Sequence, residues 1–266
     1  MSFLIEYESI IRATVFFSLL IILASGEFLL PLAKRKCRRI KQWFTNLTLV
    51  LIDSFLMHLL LPLLAVGVAQ YASQHSLGVF NLIALPSWIS IILSLFMLDL
   101  LIYGQHRMMH QVPILWRLHR VHHTELGLDV TSAVRFHPIE IIFSMGIKMS
   151  FVFLMGIPVV AVILFEILLN GLALFNHSNI KLNKKFDSYL RKFIVTPSVH
   201  WIHHSQIVKE TDSNYGFNLI IWDKLFASYT DKPAIDYPEM PQGLREFATQ
   251  GSLNLYQLLI LPFRAK

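Results

Sequence analysis

One cysteine, Cys37, stands in 266 residues. An intrachain disulfide and a thiolate cluster for a metal are therefore excluded. Charge is scarce too: Asp, Glu, Lys and Arg make up 15% of the chain, against about 25% in a soluble domain. The connector from about residue 70 to 84 has no charged residue at all. Hydrophobic residues reach 55%, and the mean hydropathy is +0.54. So little polar surface cannot cover a water-soluble globule, which argues against a purely cytosolic enzyme and against intrinsic disorder. A bilayer acting as solvent explains the apolar surplus. Internal repeats, low-complexity tracts and Gly/Ser linkers are lacking, so a second soluble domain has no place. A cleavable signal peptide is not expected, because the first apolar run is too long and lacks a small-residue cleavage site.

Apolar runs cover roughly 11–32, 44–69 and 85–103, each with the roughly 20 residues that cross about 30 Å of hydrocarbon. A fourth run, from about 139 to 175, is long enough for two spans if it turns at Met155-Gly156-Ile157-Pro158, where proline disfavours a continuing helix. Each half would be about 28 Å long at 1.5 Å per residue. A hairpin that only dips into the membrane fits the same pattern. The last apolar patch, Leu253 to Phe263, is too short to span; it lies on the membrane surface or packs on the fold. The expected fold is all-α: an integral membrane helical bundle of about four to five apolar spans with a cytoplasmic helical cap. The expected divisions are N-terminal membrane helices over 1–84, a catalytic domain over 85–230 and a tail over 231–266.

Of 23 Lys and Arg residues, six lie in the loop 34–41, four in 104–138 and eleven beyond His177, leaving Arg12 and Lys148. All three basic segments share one side if the amino terminus is outside and the carboxyl terminus inside. The basic balance of +6 thus reflects membrane topology rather than nucleic-acid binding. The same arrangement puts ten of the twelve histidines, all between His106 and His204, on the cytoplasmic face.

Three motifs carry eight of them: HRMMH (His106, His110), HRVHH (His119, His122, His123) and HWIHH (His200, His203, His204). Spacings of three and four put rings on one helical face, where they can share a metal, while the adjacent ring, about 100° away, reaches toward a second. Packed without metal, eight such rings repel when protonated and are costly to bury when unpaired. His137, before Pro138, and His177 mark the two mouths of the hairpin. A lone histidine at a helix end is ordinarily a cap or a dipole partner; beside eight ligands on the same side, both are expected to join the set. Ten nitrogens exceed the needs of one ion and suit two with about five each. A shell without thiolate or carboxylate argues against structural zinc and suits a pair of irons that bind oxygen, with zinc as an alternative occupant.

Asp99, Glu125, Asp129, Glu140, Asp212 and Asp223 are the carboxylates available to hold the rings. Asp53, His58 and Asp99 lie within the spans, where an ionisable group is a functional candidate; Asp53 and His58, five residues apart, do not converge on one ion. Glu166 and Asn170 are candidates to face a cavity in the hairpin. Catalytic residues beyond the metal ligands are not specified by these patterns, and no organic cofactor site is indicated.

The order HxxxH, HxxHH, HxxHH across an apolar hairpin resembles the fatty acid hydroxylase and sterol desaturase superfamily of membrane non-haem di-iron enzymes. LWRLHRVHHTELGLDVTSAVRFHPIE (115–140), VTPSVHWIHHS (195–205) and NYGFNLIIWDKLF (214–226) look especially like its bacterial members. The resemblance covers roughly 85–229. It implies a four-helix membrane core, a cytoplasmic cap enclosing the metals, oxygen, two external electrons and a lipid entering from the bilayer. The family's ligands fall on His106, His110, His119, His122, His123, His200, His203 and His204. Some members carry a further HxxxH before the last box; here His177 stands alone, and His137 is the candidate for the missing ring. No fused haem domain is present, so a separate electron-donor protein is implied.

The resulting reading is a membrane di-iron oxygenase that hydroxylates or desaturates a sterol or fatty acyl lipid. Its alternatives are a zinc-dependent membrane lipid hydrolase and, less favoured, a metal transporter, whose ligands belong at the bilayer midplane. A bacterial inner membrane is the expected location, with the endoplasmic reticulum as the alternative.

Overall fold

The computed structural model describes residues 2–83 and 85–264; Met1, Ala84, Ala265 and Lys266, at the edges of the expected divisions 1–84 and 231–266, lie outside the described residues. Among the described residues every regular element is helical, with three isolated β-bridges besides. Five stretches of the described residues are long and apolar enough to cross a membrane. They are α1 (Glu8–Leu29), the stretch Arg39–Leu82 that begins with α2 (Arg39–Leu60), α4 (Ser87–Gln111), α6 (Pro138–Met155) and α7 (Val159–His177). Their outward faces carry large apolar side chains such as Phe17, Leu51, Phe55, Trp88 and Leu154, as lipid solvation requires.

The second apolar run is not one helix. α2 stops at Leu60, and Leu61 is extended (φ −116°, ψ 107°). Pro62 follows; it has no N–H to donate and its ring pushes the preceding residue out of the helical region. The chain resumes as α3 (Ala65–Gln74), whose Ala65, Val66, Ala69 and Ala72 are buried. These small residues let α3 pack against α6 and α7 in the central cluster with Leu98, Val152, Ile157, Ile163 and Phe165. The third run extends past Tyr103 to Gln111 as a single helix.

The fourth run does fold back as two full antiparallel helices. Gly156 caps α6 in the left-handed region (φ 63°), and Pro158 opens α7. A Cβ on Gly156 would lie 2.7 Å from Asn81 Nδ2 and 2.8 Å from the Leu77 carbonyl. Conformation and space both demand glycine there.

α1, α4 and α7 all end where α2 and α6 begin, and a cap is built on that end of the bundle. It contains α5 (Pro113–His123), a 3₁₀ turn (Val130–Val134), α8 (Pro197–His203) and α9 (Leu255–Ile260). The last apolar patch packs on the fold: Leu253, Leu258 and Leu261 bury against Leu49 and Val121. Glu27, at the end of α1, anchors the junction by accepting from the backbone N–H of Val130 (2.7 Å) and Asn179 (2.9 Å) while facing Arg35 and Arg39. The basic loop lies against this cap, with Lys36 Nζ donating to the Met240 carbonyl at 3.1 Å.

Gly156→Val is expected to cost about 1–3 kcal/mol, read as a lower Tm in detergent by circular dichroism. An unchanged Tm would contradict the turn geometry.

Candidate metal centre

The last two turns of α4 carry His106 and His110, α5 carries His119, His122 and His123, His177 ends α7, and α8 with its C-cap carries His200, His203 and His204. Pro113 and Pro197 each sit in a first helical turn, where a missing N–H costs nothing. Nine rings converge as two groups: His106, His110, His119, His123 and His203 in one, His122, His177, His200 and His204 in the other. Within each group the ligating nitrogens lie within 4.8 Å of one another. Residues four apart stay together, and each HxxHH motif sends its remaining ring across to the other group. Stacked rings of His123 and His204, 4.3 Å between centroids, join the two.

His137 stands outside both groups and corrects the expectation of ten ligands. It is the N-cap of α6. Its Nδ1 accepts from the Ile139 N–H at 3.2 Å, and its Nε2 donates to the Leu259 carbonyl at 3.1 Å. With both nitrogens engaged, no lone pair is left for an ion. The ring instead ties the C-terminal segment to the start of α6.

Hydrogen bonds set the tautomers. His106 donates from Nδ1 to the Tyr215 carbonyl (2.7 Å), His203 to Ser213 (2.7 Å), His177 to Ala173 (2.7 Å) and His122 to Arg135 (3.2 Å). A carbonyl only accepts, so each Nδ1 holds the hydrogen and each Nε2 presents a bare lone pair. Those Nε2 atoms face one another: His106 and His119 at 3.1 Å, His203 and His106 at 3.1 Å, His177 and His122 at 3.0 Å. Two lone pairs at that distance repel unless a cation lies between them. Nε2 of His110 and His123 and Nδ1 of His200 and His204 are buried with no partner among the described residues. Neutral imidazoles, lone pairs inward, fit two transition-metal ions.

Two of the expected carboxylates touch rings. Glu140, in the first turn of α6, accepts from His119 Nδ1 at 2.6 Å, and Asp212 Oδ1 lies 3.4 Å from His110 Nδ1. Asp223 acts one bond further out, accepting from the N–H groups of Tyr215 and Gly216 (2.8 Å each) and so fixing the carbonyl that orients His106. Glu125 faces Arg135, whose carbonyl orients His122. Asp129 and Asp99 hold framework: the former pairs with Arg35 and Trp43, the latter accepts from Trp222 Nε1 at 2.8 Å and pins the cap to α4. Asp53 is buried in α2, whereas His58 is exposed and bonded to the Ser54 carbonyl. The orienting carbonyls of Tyr215, Ser213, Arg135 and Ala173 were beyond sequence reasoning, since backbone groups leave no compositional signal.

Burial, then the neighbouring histidines, push His122, His123, His200 and His204 well below the ordinary histidine pKa. Burial brings His203 down to about 3. The rings are therefore neutral and ready to ligate at neutral pH.

A cavity of about 310 Å³ opens against His106 and His119 and runs between α4, α6 and α7 to Lys148, Glu166 and Arg12. Met109, Phe136, Met145 and Phe217 form apolar walls. On the cap side a separate cleft of about 430 Å³ reaches His110 past Trp116, Asp212 and Arg245.

The sequence profile described as fatty acid hydroxylase matches residues 91–228, a stretch that contains all nine converging rings. The chain belongs to the fatty acid hydroxylase family. It is 30% identical over 148 residues to an ornithine lipid hydroxylase of Rhizobium tropici, covering 56% of this chain and 44% of that protein. It is 34% identical over 128 residues to the alkylglycerol monooxygenase of Xenopus tropicalis (48% and 27%). A fatty acid hydroxylase of Lecanicillium is 26% identical over 203 residues (68% and 53%). The chain thus spans about half the length or less of these curated relatives. No solved structure matches it.

Metal analysis of purified variants checks the two groups. His177→Ala and His203→Ala are each expected to lose about half of the bound metal or more, whereas His137→Ala keeps the full metal content with a lowered Tm. Full metal content in the first two, or metal loss in the third, would contradict the arrangement. pH gives a second check on chelated protein. Below about 6.5 an unfolded chain takes up protons that the buried rings refuse, so stability is present above that pH and falls as pH drops toward the folded values. A Tm that stays level between pH 7.5 and 5 would contradict it.

Proposed function

We propose that this chain is a membrane di-iron oxygenase that hydroxylates or desaturates a lipid, using O2 and two electrons from a separate donor protein. The observation that carries the reading is the pairing of two all-histidine groups with a membrane-facing cavity that ends on His106 and His119. The names of the relatives, hydroxylases and monooxygenases of lipids, support it. They give no support to the hydrolase or transporter alternatives.

The nine rings would hold an iron pair, which when bound would supply the oxygen activation needed to oxidise an unactivated C–H bond. In hydroxylation one oxygen atom enters the product and the other leaves as water, with two electrons and two protons drawn from outside. The chain's own part is positional. Glu140 holds the His119 ring by its Nδ1 hydrogen, and the Tyr215 carbonyl holds His106 in the same way, so both Nε2 atoms stay aimed at the cavity end. Met109, Phe136 and Phe217 keep water from the reacting carbon. Asp212, half exposed and facing His110, stands where the cap-side cleft admits protons.

The basic segments support an orientation with the metal end in the cytoplasm, and the bacterial look of the motifs supports an inner membrane. The division at 85–230 as catalytic region is part of the same proposal, with the N-terminal helices over 1–84 and the segment 231–266 as its support.

Iron-loaded protein, a reductant and ¹⁸O2 are expected to convert a membrane lipid to a product heavier by one labelled oxygen, or lighter by two hydrogens, and His119→Ala is expected to lose this by roughly 100-fold or more. Turnover that proceeds without O2, or with zinc in place of iron, would overturn the proposal.

A further inference from the structure

The far end of the cavity is charged, although it lies within the membrane-spanning helices. Lys148 on α6 donates to Glu166 Oε1 on α7 at 2.7 Å, and Arg12 Nη2 on α1 meets Glu166 Oε2 at 2.8 Å. Arg12 also pairs with Glu8 at 3.0 Å, so the four groups balance. Lys148 and Glu166 are more than nine-tenths buried. A salt bridge joining α6 to α7 would account for one Lys148 hydrogen, yet an ammonium carries three donors, and Glu166 is its one acceptor among the described residues. Arg12 Nε and Gln105 Oε1, both at this cavity, are buried without partners among the described residues. Asn170 adds an exposed amide to the same wall.

Water can satisfy these groups in an open cavity. An occupant that expels water must replace the lost hydrogen bonds, and a bare hydrocarbon chain cannot. We propose that Lys148, backed by Glu166 and Arg12, is a subsite for the oxygen-bearing headgroup of an amphiphilic substrate. This inference rests on the oxygenase reading for what happens next, and not for the binding itself. Lys148 is eight residues after Glu140 on α6, which sets it about 12 Å along the helix from the residue that holds His119. A carbon at that distance from the headgroup, rather than one counted from the methyl end, then lies against His106 and His119.

The test uses purified full-length protein in nanodiscs, with displacement of a fluorescent acyl probe by palmitic acid, methyl palmitate or hexadecane. The two oxygen-headed probes are expected to bind at least about tenfold more tightly than hexadecane. Lys148→Met removes most of that gap by weakening them alone, and Lys148→Arg restores it. Either oxygen-headed probe supports the subsite, and the two arms distinguish a carboxylate from a neutral carbonyl. Asn170→Leu, on an exposed position, is a second variant expected to narrow the gap should Lys148→Met fold poorly. Equal binding of all three probes, or a gap that Lys148→Met and Asn170→Leu leave intact, overturns the proposal. Binding is read without turnover, so a failed oxygenation assay leaves this result standing. In turnover, the position of oxidation counted from the headgroup should stay fixed as the chain is lengthened.

Discussion

Nine converging imidazoles, six of them with the Nε2 lone pair turned inward by a hydrogen bond at Nδ1, are the feature on which the rest of this structure depends. Brought together without a cation, they place bare nitrogens 3.0–3.1 Å apart in a buried space. That is costly both in repulsion and in lost hydration. A protein carries such an arrangement when a cation relieves it, and metal binding then becomes part of the folding free energy. Six of the histidines are held from behind by a carbonyl or carboxylate, and two of those supports are held in turn, Tyr215 by Asp223 and Arg135 by Glu125.

The bundle serves this requirement. α4 and α7 deliver His106, His110 and His177 at one membrane face, because both helices run the same way and end level. α6 starts there, which sets Glu140 against His119. Its own start is fixed by His137, which caps the helix and grips the carboxyl-terminal segment. Glu27, Asp99 and Asp129 tie the cap to the bundle through buried hydrogen bonds, so the metal end and the membrane end form one packed unit. The same helices leave a cavity whose wall changes from apolar to charged along its length, and that gradient suits an amphiphile better than a pure hydrocarbon.

Much of this was legible in the sequence, for definite reasons. Apolar runs reported the spans, and Gly156 with Pro158 reported the hairpin turn, since both act through the local backbone. Histidine spacing reported the convergence, because positions four apart share a helix face whatever surrounds them. One local signal was missed: Pro62 breaks the second run, and the length of the run obscured it. The rest of what stayed hidden was non-local. His137 and His177 looked alike as lone histidines at the two mouths of one hairpin. They differ because a carbonyl 122 residues away takes the Nε2 hydrogen of the first, whereas Nε2 of the second points at His122. Lys148 gave no sign of lining a cavity, since a lysine in an apolar helix reads the same whether it snorkels or pairs.

X-ray absorption spectroscopy of the iron-loaded protein tests the central claim most directly. The account predicts a first shell of nitrogen or oxygen at about 2.0–2.2 Å, imidazole scattering from between four and five rings per iron, and two irons per chain. A single iron per chain, a sulfur shell, or one or two imidazoles per metal would contradict it.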